Sequence, residues 1–262
     1  MWSNYAPRLE GAARLVAEST ATEIPSGDDR LRVHWWLAGD PGERPLLVVL
    51  HGLTGCAAAP QVTSLAAKAV QRGLDVLRVD LRNASGATPS RHIGHAGRSE
   101  DVRAIMAHVR ERAPGTPVAV VGYSLGGNIT LKALGEYGDA VPTELRAAAV
   151  VSVPIDLDAA CTAIDLPSNR IYRHYFVRRL QRTVRKRAEL HPDIYDSVVN
   201  DSLGSIGGIR DFDHRVVAPL CGFTGASDYY ARSSSLRFLP GICIPTLLVQ
   251  AKDDPFIPFD AY

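Results

Sequence analysis

The chain has 262 residues, of which 46% are hydrophobic and 22% are charged, and its formal net charge at pH 7 is +1. This length suits one large domain with a sizeable core, and the ordinary composition excludes disordered and fibrous classes of protein. The near-zero net charge gives no indication of a nucleic-acid partner, so we expect none.

Short apolar runs alternate with helical patterns along the first 113 residues. Residues 1–18 have no apolar core of the kind that a signal peptide needs. Ser99 is expected to cap a helix whose first turn holds Glu100 and Asp101, where the helix dipole favours acids. The predicted strands are 30–38, 46–50 and 76–81, and the predicted helices are 61–72 and 100–113.

The rest of the chain continues this alternation and then becomes helical. Residues 155–240 have helical patterns without a clear strand. The alternation predicts an α/β fold with a mostly parallel sheet and helices on both faces. We divide the chain into a core (1–154), a helical insertion named here the cap segment (155–240), and a return to the core (241–262). The predicted strands are 118–121, 147–153 and 246–250, with a helix at 125–137.

The sequence GYSLGG at 122–127 stands directly between a buried strand and a helix. This is the context of the G-x-S-x-G nucleophile elbow of α/β-hydrolases, in which a serine lies on a sharp, strained turn. Gly122 and Gly126 leave room because they lack a Cβ atom, and Gly127 lets the helix approach the sheet. The helix N-terminus directs N–H groups at developing negative charge. We therefore predict Ser124 as the catalytic nucleophile.

The sequence HGLTG at 51–55 follows the apolar run 46–50. In α/β-hydrolases this loop supplies one donor of the oxyanion hole, and the residue after the nucleophile supplies the other. We therefore predict the backbone N–H groups of Leu53 and Leu125 as the oxyanion donors. Removing one such donor typically lowers the rate about 100- to 1000-fold. His51 is predicted as a structural residue of the turn rather than a base.

A catalytic acid is expected after a later strand, because the triad order in this fold is serine, then aspartate or glutamate, then histidine. The strand 246–250 is followed by AKDDPFIP, which offers Asp253 and Asp254 at the carboxyl end of that strand. We predict Asp254, since Pro255 biases it to an extended conformation that projects the side chain from the loop. Asp253 is the alternative.

Besides the elbow and the oxyanion loop, further stretches of the chain form a series in one order. They are HGLTG (51–55), LRNASG (81–86), HAGRSED (95–101), GYSLGGN (122–128), VSVPIDL (151–157), NRIYRHYF (169–176), DYYARSSS (228–235) and AKDDPFIP (251–258). This series resembles the YheT-like family of α/β-hydrolases, which is related to eukaryotic monoacylglycerol and phospholipid lipases. The resemblance implies a serine esterase or lipase with a cap and no cofactor, in which Ser124 matches the nucleophile and Asp254 the triad acid.

The triad histidine of that family lies on a loop after one more helix and one more strand. Only residues 255–262 follow Asp254 here, whereas a helix and a strand with their connections need about 25 residues or more. We therefore expect the final strand and the histidine loop to be missing from this chain. Without a base, a serine is a weak nucleophile. The best internal candidates for a base are His92 and His95, which follow the strand 76–81.

The stretch 170–187 (RIYRHYFVRRLQRTVRKR) in the cap segment is strongly basic. Its apolar residues recur every four positions, as on one face of a helix. The preferred interpretation is a cap helix with this face packed inward and a solvated charged face. The alternative is a peripheral contact with anionic lipid headgroups. The apolar residues are Tyr172, Phe176, Leu180 and Val184.

Four cysteines are scattered along the chain, with neither metal-ligand nor disulfide-framework spacing. We expect no metal site and no cofactor, and a reducing, cytoplasmic compartment is the simplest interpretation. Apolar runs such as 46–50 and 147–151 are far shorter than the roughly 20 residues of a membrane span. The cysteines are Cys56, Cys161, Cys221 and Cys243.

Together these features predict a serine carboxylic-ester hydrolase for small-molecule acyl esters of lipid-like character, acting through an acyl-enzyme intermediate. The first alternative is a truncated, catalytically inactive hydrolase fold that acts only in binding. Acyltransferase or haloperoxidase chemistry is a further alternative, because the same triad serves several reactions.

Overall fold

A computed structural model describes residues 11–82, 84, 90–201 and 203–262 of the chain. The first ten residues, and residues 83, 85 and 86 of the motif at 81–86, lie outside this part. The described residues form a seven-stranded sheet with helices on both faces. The α/β fold expected from the alternation of strands and helices is therefore confirmed.

The order of the strands in the sheet predicts a ligand-binding crevice between two of the central strands. Across the sheet the order is β1-β2-β4-β3-β5-β6-β7. Strands β3 to β7 are mutually parallel, whereas β2 is antiparallel to β1 and β4. The chain leaves β3 toward β4 and returns to β5 on the other side, so ligands are expected at the carboxyl ends of β3 and β5. The strands are β1 (Thr20–Ser26), β2 (Asp29–Trp36), β3 (Leu46–Leu50), β4 (Asp75–Asp80), β5 (Val118–Tyr123), β6 (Leu145–Val151) and β7 (Thr246–Val249).

Strand β1 was not predicted from the sequence. Most of its residues, TATEIPS, are exposed or half-exposed, so the apolar pattern of a buried strand is weak. It forms an edge strand by pairing with the predicted strand β2, and Ile24 lies opposite Leu31. Pairing with a neighbour, rather than intrinsic preference, decides its structure.

The helices of the core cover the two faces of the sheet. Alternate residues of β3 face opposite layers because side chains alternate along a strand. Leu47 and Val49 pack with α1 and α2, whereas Val48 packs in the cluster that includes α3 and α4. The helices are α1 (Ala12–Glu18), α2 (Pro60–Gln71), α3 (Ser99–Arg112) and α4 (Leu125–Tyr137).

The predicted N-cap of α3 is wrong. Ser99 is the first residue of this helix, and Arg98 occupies the cap position. The Ser99 hydroxyl donates to Glu136 Oε2 of α4 at 2.5 Å and accepts a hydrogen bond from Lys132 Nζ at 3.0 Å. These partners from α4 satisfy the hydroxyl in place of the backbone N–H groups that a cap would bind.

Between β6 and β7 the described residues form helices and turns and no strand. None of the described helices combines the length and the apolar character needed to cross a bilayer. This helical part, between Val151 and Thr246, includes the range 155–240 named the cap segment. Its α-helical and π-helical elements are α5 (Leu157–Asp165), α6 (Arg170–Leu190), α7 (Pro192–Asp201), α8 (Ile209–Phe212), a π-helical segment (Asp213–Val217), α9 (Ala218–Leu220) and α10 (Ala226–Ser233).

Candidate active site

Ser124 lies on a sharp turn between β5 and α4. Its backbone φ is +50° and its ψ is −116°, a conformation that residues with a side chain rarely adopt. The Ser124 N–H donates to the carbonyl oxygen of Val151 at 2.9 Å. Strain of this kind persists only where the surrounding structure holds it, and it is concentrated at functional sites.

The glycines of the elbow allow a backbone approach that no other residue permits. A Cβ atom on Gly122 would lie 2.6 Å from the Cα atom of Gly127, and one on Gly126 would lie 2.5 Å from the carbonyl oxygen of His51. A Cβ atom on Gly127 would meet the side chain of Val153. The sharp turn and the close packing of α4 on the sheet therefore depend on these residues.

Leu53 and Leu125, the predicted oxyanion donors, line the same cavity as Ser124. Leu125 begins α4, so its N–H belongs to the helix start, where no intrahelical acceptor exists. In the described part of the chain neither N–H donates a hydrogen bond. Both groups are therefore available to an oxyanion formed beside Ser124.

His51 has the structural role predicted for it. Its Nδ1–H donates to the carbonyl oxygen of Gly52 at 2.7 Å, and its Nε2 accepts the N–H of Leu81 at 3.0 Å. Burial lowers the pKa of the imidazole, so the ring stays neutral. With both ring nitrogens occupied, His51 holds the oxyanion loop against β4 and has no lone pair for catalysis.

The loop after β7 separates the two candidate acids. Asp254 lines the cavity with Ser124, whereas Asp253 is exposed and is not among the cavity-lining residues. Asp254 Oδ1 accepts the N–H groups of Phe256 at 2.9 Å and Ile257 at 3.1 Å. The loop thereby fixes one carboxylate oxygen and leaves the other for a catalytic partner, which favours Asp254.

His92 is bound to the core and away from the cavity. Its backbone N–H donates to Asp29 Oδ2 at 2.9 Å, and its Nδ1 lies 3.3 Å from the same oxygen. Asp29 also pairs with the buried guanidinium of Arg82 at 3.1 Å. His92 is not among the residues that line the cavity. Its position does not fit a base for Ser124.

His95 lines the cavity, but its hydrogen bonding does not suit a base. Its Nδ1 accepts the N–H of Gly97 at 3.1 Å, and the rings of Phe223 and Tyr229 approach it edge-on. Burial, together with nearby cations such as Arg98, lowers the pKa of His95 well below its usual range. A neutral imidazole that accepts through Nδ1 carries its proton on Nε2, so it has no free lone pair for the serine proton.

A cavity of about 710 Å³ lies between the carboxyl ends of the central strands and the cap segment. Its lining is mainly apolar and includes Ile164, Phe176 and Phe212. A concave, mostly apolar site with a few polar groups is typical of small-molecule binding. The cavity brings together the four residues predicted for catalysis, which are Ser124, Asp254, Leu53 and Leu125.

Helix α6 contains the basic stretch and packs its apolar face inward, as the preferred interpretation predicts. Leu180 and Val184 are buried, and Phe176 lines the cavity. The expectation of a solvated charged face is wrong for Arg187, which is only 3% exposed. Its guanidinium donates to the carbonyl oxygens of Ser90, at 2.6 Å, and Arg82. Those backbone acceptors offset part of the cost of burying the charge, while Arg187 Nε has no partner among the described residues and burial lowers the pKa of the guanidinium.

Two residues near the site were missed by sequence reasoning. Arg179 Nη2 donates to the carbonyl oxygen of Thr54 at 2.9 Å, which ties α6 to the oxyanion loop. Asp213 lines the cavity from the π-helical segment. Neither carries a sequence signal, because Arg179 is one of many arginines in its stretch and Asp213 resembles an ordinary surface acid.

The family model described as α/β hydrolase fold matches residues 45–191. YheT of Escherichia coli (strain K12) is 32% identical over 239 residues, which cover 90% of this chain and 68% of YheT. Phospholipase ABHD3 of Mus musculus is 30% identical, covering 85% of this chain and 53% of that protein. Monoacylglycerol lipase of Saccharomyces cerevisiae is 30% identical, with 92% and 56% covered. The chain thus spans little more than half the length of these two eukaryotic relatives.

Solved structures share the same fold. The Pyrococcus furiosus esterase Pf2001 has a TM-score of 0.60 at 18% identity, covering 97% of this chain and 80% of that one. Est1E from Butyrivibrio proteoclasticus has a TM-score of 0.56 at 16% identity, with 92% and 81% covered. Given the matching family model and the identity with YheT, the chain belongs to the YheT-like family of esterase- and lipase-type α/β-hydrolases.

Proposed function

We propose that the protein is a serine esterase that hydrolyses carboxylic esters of apolar acyl chains. The observation that carries this proposal is the position of Ser124, on a strained elbow in an apolar cavity beside the unoccupied N–H groups of Leu53 and Leu125. The names of the yeast monoacylglycerol lipase and the mouse phospholipase support acyl esters as the substrate class.

In the proposed reaction, Ser124 Oγ attacks the carbonyl carbon of the ester while its proton passes to a base. The N–H groups of Leu53 and Leu125 bind the oxyanion of the tetrahedral intermediate. The alcohol leaves with that proton, and water then hydrolyses the acyl-serine to release the acid. Asp254 orients the histidine that acts as the base. We assign the role of this base to none of the described residues.

Covalent labelling tests the nucleophile. The protein is treated with an alkyl fluorophosphonate, and the adduct is mapped by mass spectrometry. We expect one adduct, on Ser124, and none in Ser124→Ala. Ser152→Ala is the matched control, because Ser152 lines the same cavity and also has a positive φ, of +52°. Labelling that persists in Ser124→Ala would contradict the proposal, and an unlabelled protein that still binds alkyl ligands would favour the binding-only alternative.

Acyl transfer to an alcohol is a second candidate, suggested by one relative. Medium-chain fatty acid ethyl ester synthase/esterase 2 of Saccharomyces cerevisiae is 31% identical, covering 96% of this chain and 57% of that protein. Both reactions pass through the same acyl-serine, and only the acceptor of the acyl group differs. Turnover of a p-nitrophenyl ester in aqueous ethanol separates them, since hydrolysis yields mainly the free acid and transfer yields mainly the ethyl ester.

We also propose that one face of α6 contacts anionic lipid surfaces. Ile171, Arg178, Arg182 and Arg185 share this face by their spacing and are all exposed. Exposed cations next to an exposed apolar side chain attract anionic headgroups. Sedimentation with vesicles should show binding to anionic but not zwitterionic lipid, and Arg178→Glu with Arg182→Glu should abolish it. Equal binding to both lipids would contradict this contact.

The division into core (1–154), cap segment (155–240) and return (241–262) is part of the same proposal. The support for it is that residues from all three parts line the cavity. A cytoplasmic location also stays a proposal, supported by the four cysteines, which are all free.

A further inference from the structure

Asp213 is a carboxyl group in the apolar wall of the cavity, and the proposed hydrolysis does not use it. It begins the π-helical segment Asp213–Val217, which follows α8. Single π-helical turns are rare and are found frequently at functional sites. Asp213 lines the same cavity as Ser124, and among the described cap residues that do so it is the one with a carboxyl group.

The hydrogen bonds of Asp213 leave one of its oxygens open. Its Oδ2 accepts the hydroxyl of Tyr230 at 2.7 Å, and that hydroxyl oxygen lies 2.9 Å from Cys161 Sγ. Burial raises the pKa of the Cys161 thiol to about 12, so the thiol keeps its proton and the tyrosine proton is free for Asp213. Asp213 Oδ1 accepts no hydrogen bond from a described residue, and Asp213 is among the residues that line the cavity.

No cation pairs with this carboxyl group among the described residues. The nearby guanidinium of Arg210 pairs instead with Asp158 at 2.8 Å and lies over the Tyr230 ring, 5.2 Å from its centroid. Burial, together with the neighbouring carboxylate of Asp165, raises the pKa of Asp213 to about 7. A half-buried carboxyl without a charged partner in an apolar wall destabilises the fold, so its presence in a ligand cavity points to a binding role.

We propose that Asp213 and Tyr230 form a subsite that binds a neutral hydroxyl group of the ligand. This inference rests on the proposed esterase function, and it adds the requirement that the substrate has a hydroxyl group at the part that contacts Asp213. A carboxyl group that titrates near neutral pH can accept a hydrogen bond from a hydroxyl group or, when protonated, donate one. Oδ1 is the oxygen without a hydrogen-bond partner among the described residues. A cationic ligand fits less well, because Arg210 already covers the face of the Tyr230 ring.

The hydroxyl group can belong to either half of an ester, to the alcohol portion or to a hydroxylated acyl chain. A hydroxyl group from either half would form the same hydrogen bond with Asp213. Two matched pairs of ligands distinguish these two sources. The first pair is a monoalkyl glycerol ether and its dimethylated analogue. The second pair is a long-chain methyl ketone with and without a terminal hydroxyl group. None of these ligands can be hydrolysed as an ester.

Binding is measured by titration calorimetry on Ser124→Ala, so the result does not depend on whether the protein hydrolyses esters. We expect the hydroxylated member of at least one pair to bind roughly 10- to 100-fold more tightly, the scale of a hydrogen bond to a buried charged or polar group. Asp213→Leu, introduced beside Ser124→Ala, should abolish that preference without weakening the methylated or unsubstituted ligand. Tyr230→Phe should reduce the preference less, because it leaves Oδ1 in place.

Three outcomes would overturn the subsite. Equal affinities within both pairs would show that no hydroxyl group is recognised. A preference that survives Asp213→Leu would place recognition elsewhere in the cavity. Tighter binding of an alkyltrimethylammonium ion than of every hydroxylated ligand would indicate a cation site. Failure of Ser124 to react with a fluorophosphonate would contradict the esterase proposal while leaving these affinities unaffected.

Discussion

The two walls of the cavity are built from different parts of the chain and in different ways. The core wall includes the nucleophile elbow and the oxyanion loop, whose function depends on backbone geometry. Gly122 and Gly126 approach their neighbours so closely that no Cβ atom fits, and Leu53 and Leu125 offer N–H groups. The cap wall is made of side chains from α5, α6, α8, α10 and the π-helical segment. Its polar groups depend on contacts between residues far apart in sequence.

Under the proposed esterase function, the two walls would have different roles. A backbone wall stabilises a charge that forms in every ester substrate, whatever its chain. A side-chain wall contacts the parts in which substrates differ, so it sets selectivity. Substitutions in the core wall should therefore lower turnover of all esters, whereas substitutions in the cap wall should change the affinity for particular ligands or the stability of the fold.

The largest effect is expected for the acid at the core wall. In a form of the protein that includes the family's triad histidine, Asp254→Asn should lower kcat for p-nitrophenyl ester hydrolysis by about 10⁴-fold, because the histidine base would lose its orienting carboxylate. Asp253→Asn is the matched control, since that side chain is exposed and does not line the cavity. It should change kcat by less than about threefold. The reverse order of effects would show that the wrong carboxylate has been assigned.

The next effect concerns the elbow. In Gly122→Ala the new Cβ would lie 2.6 Å from the Cα atom of Gly127, so the turn must shift. We expect the second-order rate constant for fluorophosphonate labelling of Ser124 to fall by about 100-fold, since small displacements of reacting groups have effects of this size. Gly207→Ala is the control, because nothing lies within 4 Å of its added Cβ. Unchanged labelling of Gly122→Ala would show that the elbow tolerates displacement.

A smaller effect is expected where the cap wall supports the core wall. Arg179→Met removes the hydrogen bond to the carbonyl oxygen of Thr54 and leaves the oxyanion loop less constrained. In the form of the protein that includes the triad histidine, we expect kcat to fall by about 10-fold with little change in KM, because a charged hydrogen bond contributes about 1.5–3 kcal/mol. Arg178→Met on the exposed side of the same helix is the control. If both variants lower kcat equally, the charge of the helix matters rather than the contact.

The smallest effect is a pH-dependent change in stability from Asp213. Its pKa is about 7 in the folded protein and about 3.9 in an unfolded chain. Between these values the folded state binds more protons, so this residue makes the folded state progressively less stable as pH rises from about 4 to 7. Asp213→Asn should raise Tm at about pH 8 by roughly 3 °C or more, given about 2–4 °C per kcal/mol in a protein of this size.

The same pair of proteins supplies the control for this measurement. The Tm advantage of Asp213→Asn should shrink as the pH falls toward about 5, where the wild-type carboxyl is already protonated in the folded state. An advantage that is constant with pH would mean that the substitution acts through packing. A lower Tm at every pH would contradict the expected destabilisation of the folded state by Asp213.

Much of the core wall could be predicted from the sequence because local patterns determine it. The strands β3 to β7 were expected within a few residues, since buried parallel strands are apolar runs bounded by turns. The elbow was recognisable because its turn demands glycine at fixed offsets from Ser124. The position of Asp254 in the cavity follows the rule that parallel strands carry their sites at the carboxyl ends.

Only the tertiary structure decided the features that depend on partners distant in sequence. Strand β1 forms by pairing with β2, and the Ser99 hydroxyl binds Glu136 instead of capping its own helix. Arg179, Arg187 and Asp213 look like surface charges in the sequence, yet their partners lie in other elements. A polar side chain is buried only where it can form hydrogen bonds with a partner. For these residues the partners come into contact when the cap segment packs on the core. The sequence by itself therefore determined the fold, the elbow and the candidate acid, whereas the packing of the cap segment decided which of its charges face the cavity.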